Sequence, residues 1–308
     1  MFGSIMDSIY FDILSYTAWI NLLVVSVGLL TNTLGLLIFT KKKLNKSSNM
    51  GSMHAILCIF NLPPLVNSLI LEQLFPMLGI DLLSYSAWTC KLVSFWLRFS
   101  LDLSPVQQQI ITFMIYLCVK DPVKYLRCYK KLKTVFLVVF LALFSVNLPF
   151  LFKEIKLEGE QLKCTGPDYL ILLSDISNLL IRYLIPLVFM IMMNLIIIYQ
   201  YFESKKVFCT IKSRSPKSFL LSVVIFNCMF IVLNLPLAVL ELSSYFKFLL
   251  ASKTGQDVFS RLNNVLLLAL SLSYLCYSFT FFVHLSFNKL FKRQFILRIK
   301  GYLRLNFF

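Results

Sequence analysis

Charge is scarce in this chain. Only 14% of its 308 residues are Asp, Glu, Lys or Arg, where a soluble domain averages about 25%. Set against 58% hydrophobic residues, that shortage excludes an ordinary soluble globular domain. Acids are rarest, 14 against 30 basic residues, and there are two histidines, His54 and His284. Those two are far apart in sequence and no Cys/His pair has zinc spacing, so no metal centre is expected and both read as packed side chains. There is no glycine-rich phosphate loop, no nucleophile elbow and no carboxylate pair beside a cleft, so neither an enzyme nor a cofactor is expected. Residues 1–16 hold Asp7 and Asp12 but no Lys or Arg, and so lack the basic start of a cleavable signal peptide. The first apolar run is expected to act as its own insertion signal.

What the chain has in abundance is long apolar runs. A hydrocarbon core about 30 Å thick takes roughly 20 apolar residues as helix, and runs of about that length recur at Thr17–Thr40, Met53–Leu71, Thr134–Phe152, Leu184–Phe202, Ser218–Leu240 and Leu262–Phe287. A further run, about Leu92–Tyr116, contains Arg98 and Asp102. It counts as a span because charges one helical turn apart can satisfy each other and because intramembrane charges face a bundle interior. In lipid each backbone polar group must be paired within its own segment, which makes the spans helices. The expected fold is all-α: a polytopic seven-transmembrane helix bundle, residues 17–287, between an extracellular N-terminus, 1–16, and a short tail, 288–308.

The formal charge of +16 would point to nucleic acid in a soluble protein. Here it is placed by topology instead. Basic residues crowd every second gap: Lys41 to Lys46, Lys120 to Lys133, Lys205 to Lys217, and Lys289 to Arg304. The positive-inside rule makes those gaps cytoplasmic, leaving the N-terminus outside and the C-terminus inside. The triplet Asn45-Lys46-Ser47 then lies where glycosylation does not occur. Of the eight cysteines, Cys90 and Cys164 are the two that face the oxidising side, and so are the candidates for a disulfide, with two free thiols as the alternative.

Several motifs in this frame resemble the rhodopsin-like (class A) G-protein-coupled receptors. Gly28 to Asn32 is similar to their Gly-x-x-Gly-Asn, with Asn32 as the asparagine that ties helices one, two and seven. Leu57 to Asn61 resembles Leu-Ala-x-x-Asp, with Asn61 in place of the acid. Pro186 stands in helix five, and Phe230 to Pro236 is similar to Phe-x-x-Cys-Trp-x-Pro, its tryptophan replaced by Asn234. About twenty-five residues after Cys90, where the family carries the Arg of Asp-Arg-Tyr, stands Ile115, followed by Tyr116. Thr280 to His284 occupies the Asn-Pro-x-x-Tyr frame, and Phe287 to Phe295 looks like the family's short amphipathic eighth helix.

The resemblance implies a plasma-membrane receptor that binds an extracellular ligand, a peptide or small organic molecule, among its helices and signals to a heterotrimeric G protein through its basic inner loops, which also face membrane lipids. No nucleic-acid partner is expected. Ile115 removes the arginine latch, and Asn61 removes the negative charge that would hold sodium. The residues set to meet a ligand are Arg98, Asp102, Arg182, Asn234 and Glu241. Asp102 has two possible partners, Arg98 and Arg182; Arg182 is expected to pair with it across helices three and five, leaving Arg98, a turn nearer the outer mouth, for a ligand carboxylate. Leu97 stands where amine receptors carry Asp, which disfavours an amine. Gln107, Gln108 and Gln109 read as hydrogen-bonding glue between helices. The alternatives are a transporter or channel subunit, which would show internal repeats, and a receptor-like decoy that binds without coupling.

Overall fold

The structure is a computed structural model that describes residues 2–41, 44, 50–158, 161–167, 173, 176–208, 215–250 and 256–305. The triplet Asn45-Lys46-Ser47, Cys209 and the basic residues Lys212 and Arg214 lie outside the described residues. Eight long helices carry the architecture: α1 (Phe2–Phe39), α2 (Met50–Asn67), α3 (Ala87–Lys120), α4 (Leu132–Asn147), α5 (Ile185–Phe208), α6 (Ser215–Leu250), α7 (Gln256–Phe287) and α8 (Lys289–Leu305). A hairpin of β1 (Glu154–Glu158) and β2 (Gln161–Thr165) joins α4 to the α5 region.

Among the described residues, six helical stretches are long and apolar enough to cross a membrane: Thr17–Phe39, Met50–Leu74, Leu132–Phe152, Leu179–Glu203, Phe219–Ser243 and Leu268–Phe287. The chain is an all-α, multi-pass membrane protein. α3 is long enough too, but Arg98, Asp102 and the glutamines Gln107 to Gln109 lower its hydropathy, and it is not among the six. α1 begins at Phe2, so residue 17 is not a helix boundary. In α4 only 17% of the span is buried, against 61% in α7. α4 is therefore a peripheral helix, and its exposed Leu137, Val138 and Leu141 are the surface hydrocarbon would cover.

Local sequence explains where the helices start and bend. Ser86 and Thr89 form a reciprocal cap on α3: the Ser86 hydroxyl accepts from the Thr89 N–H at 3.2 Å and the Ser86 N–H donates to the Thr89 hydroxyl at 2.9 Å. After α3, Asp121 accepts from the N–H groups of Val123 and Lys124 and starts a short helix, Pro122–Lys130, with Pro at its first position. On that helix burial pushes the Tyr125 phenol above its ordinary pKa. Asn288 separates α7 from α8, its side chain accepting from the N–H of Leu290 and Phe291. Pro63 and Pro64 withhold two donors from α2, and one turn later the helix loosens into a π-helix, Ser68–Leu74. A second π-helix, Asn178–Leu184, precedes Pro186 and leads into α5.

The largest core cluster runs along the bundle, from Phe39, Met53, Phe219 and Phe291 at one end to Tyr183, Leu237 and Ala269 toward the other. A smaller cluster of Val24, Val25, Leu65, Tyr274 and Tyr277 joins α1, α2 and α7 nearer the other end.

Candidate functional site

At the Cys90 end, Cys90 and Cys164 form a disulfide with a Cα separation of 5.5 Å. Cys164 pairs with Ile155 in the hairpin register, so the bond pins β2 against the start of α3, with the Ser94 hydroxyl 3.6 Å from the Cys164 sulfur.

Below this clasp, α3, α4 and the second π-helix hold a charge pair. Arg182 donates from Nε at 3.3 Å and from Nη2 at 3.1 Å to Oδ1 of Asp102, while Asn147 Nδ2 donates to Oδ2 at 3.0 Å. Both carboxylate oxygens are thus occupied, and Asp102 and Arg182 are 5% and 8% exposed. Of the two partners open to Asp102, the structure uses Arg182. The guanidinium carbon of Arg98 sits 5.5 Å from the centre of the Phe150 ring, and the Arg98 carbonyl accepts from Arg182 Nη2 at 3.4 Å. Glu241 stands half-buried on α6. Asn234 is committed elsewhere: it donates to the Phe230 carbonyl at 2.9 Å and accepts from Ser273 of α7 at 2.7 Å.

Deeper, Asn32 and Asn61 tie four helices. Asn32 Nδ2 donates to the carbonyls of Gly28 at 2.8 Å and Tyr277 at 2.9 Å. Asn61 Nδ2 donates to Asn32 Oδ1 at 3.0 Å and to the Thr280 hydroxyl at 3.3 Å, and its oxygen accepts from Ser104 of α3. The close approach of α1 to α7 depends on Gly28, since a Cβ there would fall inside contact distance of the Ser278 hydroxyl and of Leu65.

A second amide junction joins α3, α5 and α6. Asn227 Oδ1 accepts from Gln108 Nε2 at 2.7 Å and from the Thr112 hydroxyl at 3.2 Å, and Asn227 Nδ2 donates to Asn194 Oδ1 at 2.9 Å. Gln107 Nε2 reaches the Met53 carbonyl of α2 at 3.0 Å. One turn beyond Thr112, Ile115 is 2% exposed within the core cluster, and Tyr116 accepts from Lys120 Nζ at 2.9 Å.

At the Lys120 end, His54 and His284 meet. Their ring centroids are 4.5 Å apart, edge to face, inside an aromatic cage of Phe39, Phe219 and Phe291. His54 Nδ1 lies 2.8 Å from the Met50 carbonyl. Among the described residues no group of three or more His, Cys, Asp or Glu is placed to hold a metal ion.

No known family's sequence model matches this chain, and no curated protein sequence matches it.

Three features escaped the sequence reading. The contact between His54 and His284 had no signal, because their separation says nothing about which helix faces which. Asn227 and Asn194 were legible only as polar residues inside apolar runs, a pattern that marks helix–helix contacts in general. The charge of Glu72 ends the apolar run at Leu71 in the sequence, whereas the structure continues the span to Leu74 and partly buries Glu72.

Proposed function

We propose that the chain is a divergent rhodopsin-like G-protein-coupled receptor of the plasma membrane. In this reading α1 to α7 all cross the bilayer, with the N-terminus outside and the C-terminus inside. An extracellular ligand enters between the helices and shifts a two-state bundle that signals to a heterotrimeric G protein. The observation that carries it is the Asn32–Asn61–Thr280 network. The three residues stand at the positions where the resemblance puts an asparagine, an acid and another asparagine in helices one, two and seven, and their side chains meet.

Other features support the same reading. Counting α3 as a span requires its Asp102 to be neutralised within the protein, and Arg182 and Asn147 do that. α8 buries Phe291 against α1 and α7 while leaving Ile296, Leu297 and Ile299 exposed among Lys289, Lys292 and Arg293. Such a helix suits the boundary of an anionic leaflet.

In place of the family's arginine, Ile115 packs into the core, so coupling cannot use the usual guanidinium. The three-helix amide junction at Asn227 is the device that holds α6 against α3 in its stead.

The test is expression in cells with second-messenger readouts for each G-protein class, first without ligand and then against peptide and small-molecule libraries. A response in at least one class at the cell surface supports the receptor. Surface delivery and ligand binding without any second-messenger response would make the chain a decoy, and no binding together with ion or solute flux would make it a transporter or channel.

A further inference from the structure

Each π-helical segment carries an ionisable side chain. In Asn178–Leu184 it is Arg182, which is matched to Asp102. In Ser68–Leu74 it is Glu72, which lies inside a membrane span and has no cation beside it among the described residues. Its two oxygens accept from neutral hydroxyls, Oε1 from Tyr274 of α7 at 2.6 Å and Oε2 from Ser68 at 2.7 Å. A membrane carboxylate without a counter-charge is expensive and marks a functional position, and π-turns recur at such positions.

The surroundings have the same bias. α1, α2 and α7 meet around Val24, Leu65 and Tyr274. One turn from Val24, on the side away from the His54 end, α1 carries Asn21, and next to Glu72 the π-helix that continues α2 carries Gln73. Both are at least nine-tenths buried, at 5% and 4% exposure, and the side-chain oxygen of each lacks a donor. In this part of the bundle, then, two buried amide oxygens lack a donor and one carboxylate lacks a counter-charge among the described residues. A primary ammonium supplies what is missing, a positive charge and three N–H donors on one atom.

We infer that Glu72 anchors the ammonium group of a ligand, with the Tyr274 hydroxyl fixing the carboxylate from α7. The assignment rests on the receptor reading, since it needs a ligand that enters between the helices. It replaces the expectation drawn from Leu97, because an amine can be held from the π-helix that follows α2 as well as from α3. The geometry further predicts that the ligand bridges the π-helix Ser68–Leu74 and α7, which Glu72 and Tyr274 already connect.

The test uses the full chain purified into lipid nanodiscs. Thermal unfolding is followed with primary alkylamines and arylalkylamines from methylamine to phenethylamine, each beside the alcohol of the same carbon skeleton. Amines are expected to raise the unfolding temperature in a dose-dependent way and alcohols to leave it unchanged. Glu72→Gln, which keeps the size and removes the charge, should weaken the apparent amine affinity by about thirtyfold or more, with the ligand-free unfolding temperature unchanged or higher. Tyr274→Phe should weaken it less. The assignment is overturned if no amine in the series stabilises the protein, or if stabilisation survives Glu72→Gln. It is equally overturned if Glu72→Gln fails to fold, which would make the carboxylate structural. The measurement involves no G protein: amine binding without signalling would remove the receptor reading and leave this site, and signalling without amine binding would do the reverse.

Discussion

Gln108 on α3 donates its side-chain amide to Asn227 on α6 across 2.7 Å, and both residues are fully enclosed, at 1% and 0% exposure. Thr112 accepts from Asn227 Nδ2 at 3.0 Å, and Asn194 on α5 accepts from the same nitrogen. One asparagine thus holds three helices, within two turns of the position where the latch arginine is absent. Interhelical hydrogen bonds in membranes are worth about 0.6 kcal/mol each on average, with a maximum of about 1.7. Three or four such bonds are enough to bias a two-state bundle by about tenfold to a hundredfold.

Asn227→Leu should therefore raise ligand-independent signalling by about tenfold or more, with surface expression preserved because the replacement is apolar and of similar size. Gln108→Leu should act in the same direction and more weakly, since Thr112 and Asn194 remain. The measurement is basal second-messenger output normalised to surface protein. Unchanged basal output in Asn227→Leu would place the resting-state lock elsewhere.

Asp102 and Arg182 make a prediction about folding. Arg182→Ala leaves a buried acid with Asn147 as its remaining polar partner, and breaking a buried pair in this way costs about 3–5 kcal/mol. Surface delivery should collapse. The charge swap, Asp102→Arg with Arg182→Asp, should recover a substantial part of it. Arg98→Ala removes the contact of its guanidinium with Phe150, about 0.5–1 kcal/mol at a partly exposed site, but leaves the Asp102–Arg182 pair in place, and should reach the surface. If Arg98→Ala is lost and Arg182→Ala is tolerated, the roles of the two arginines are reversed.

The disulfide is expected to contribute about 2–4 kcal/mol. Cys90→Ala and Cys164→Ala should each lower surface delivery, and the double variant should be no worse than the poorer single, because both remove one and the same bond. Additive losses, seen by surface immunolabelling, would separate the two cysteines.

Gly28 supplies a packing test. Gly28→Ala directs a Cβ at the Ser278 hydroxyl and at Leu65, which should push α1 off α7 and strain the bonds from Asn32 to the Tyr277 carbonyl and from Thr31 to the Ser278 carbonyl. A lower unfolding temperature is expected in purified protein. Ser278→Ala in the same chain should restore part of the loss by vacating the space. If the second change makes the first no better, Leu65 or the backbone limits the approach instead.

The membrane-embedded, helical nature of the protein was legible in the amino-acid order because hydropathy and helix length are local quantities. An apolar run of about 20 residues has one inexpensive fate in lipid, whatever its neighbours. The same holds for the caps at Asp121 and Asn288, which act on N–H groups two or three residues away. The functional chemistry was legible in part. Asn32, Asn61 and Thr280 were singled out by their frame, and Asp102 was narrowed to two arginines, with Arg182 favoured because Arg98 lies a turn nearer the outer mouth; which of them it meets is not a local property of the chain.

That choice belongs to the tertiary structure, because a partner for a buried polar group is set by the rotation and vertical register of two helices against each other, and a single turn changes it. Arg182 reaches Asp102 from a π-helical segment whose extra residue per turn shifts the side chain around the axis. The same kind of shift turns Glu72 to face Tyr274. His54 and His284, the chain's two histidines, meet only because α2 and α7 descend into one aromatic cage. Composition determined that this chain lies in a membrane as helices; packing decided which of its few polar groups meet, and so where its chemistry lies.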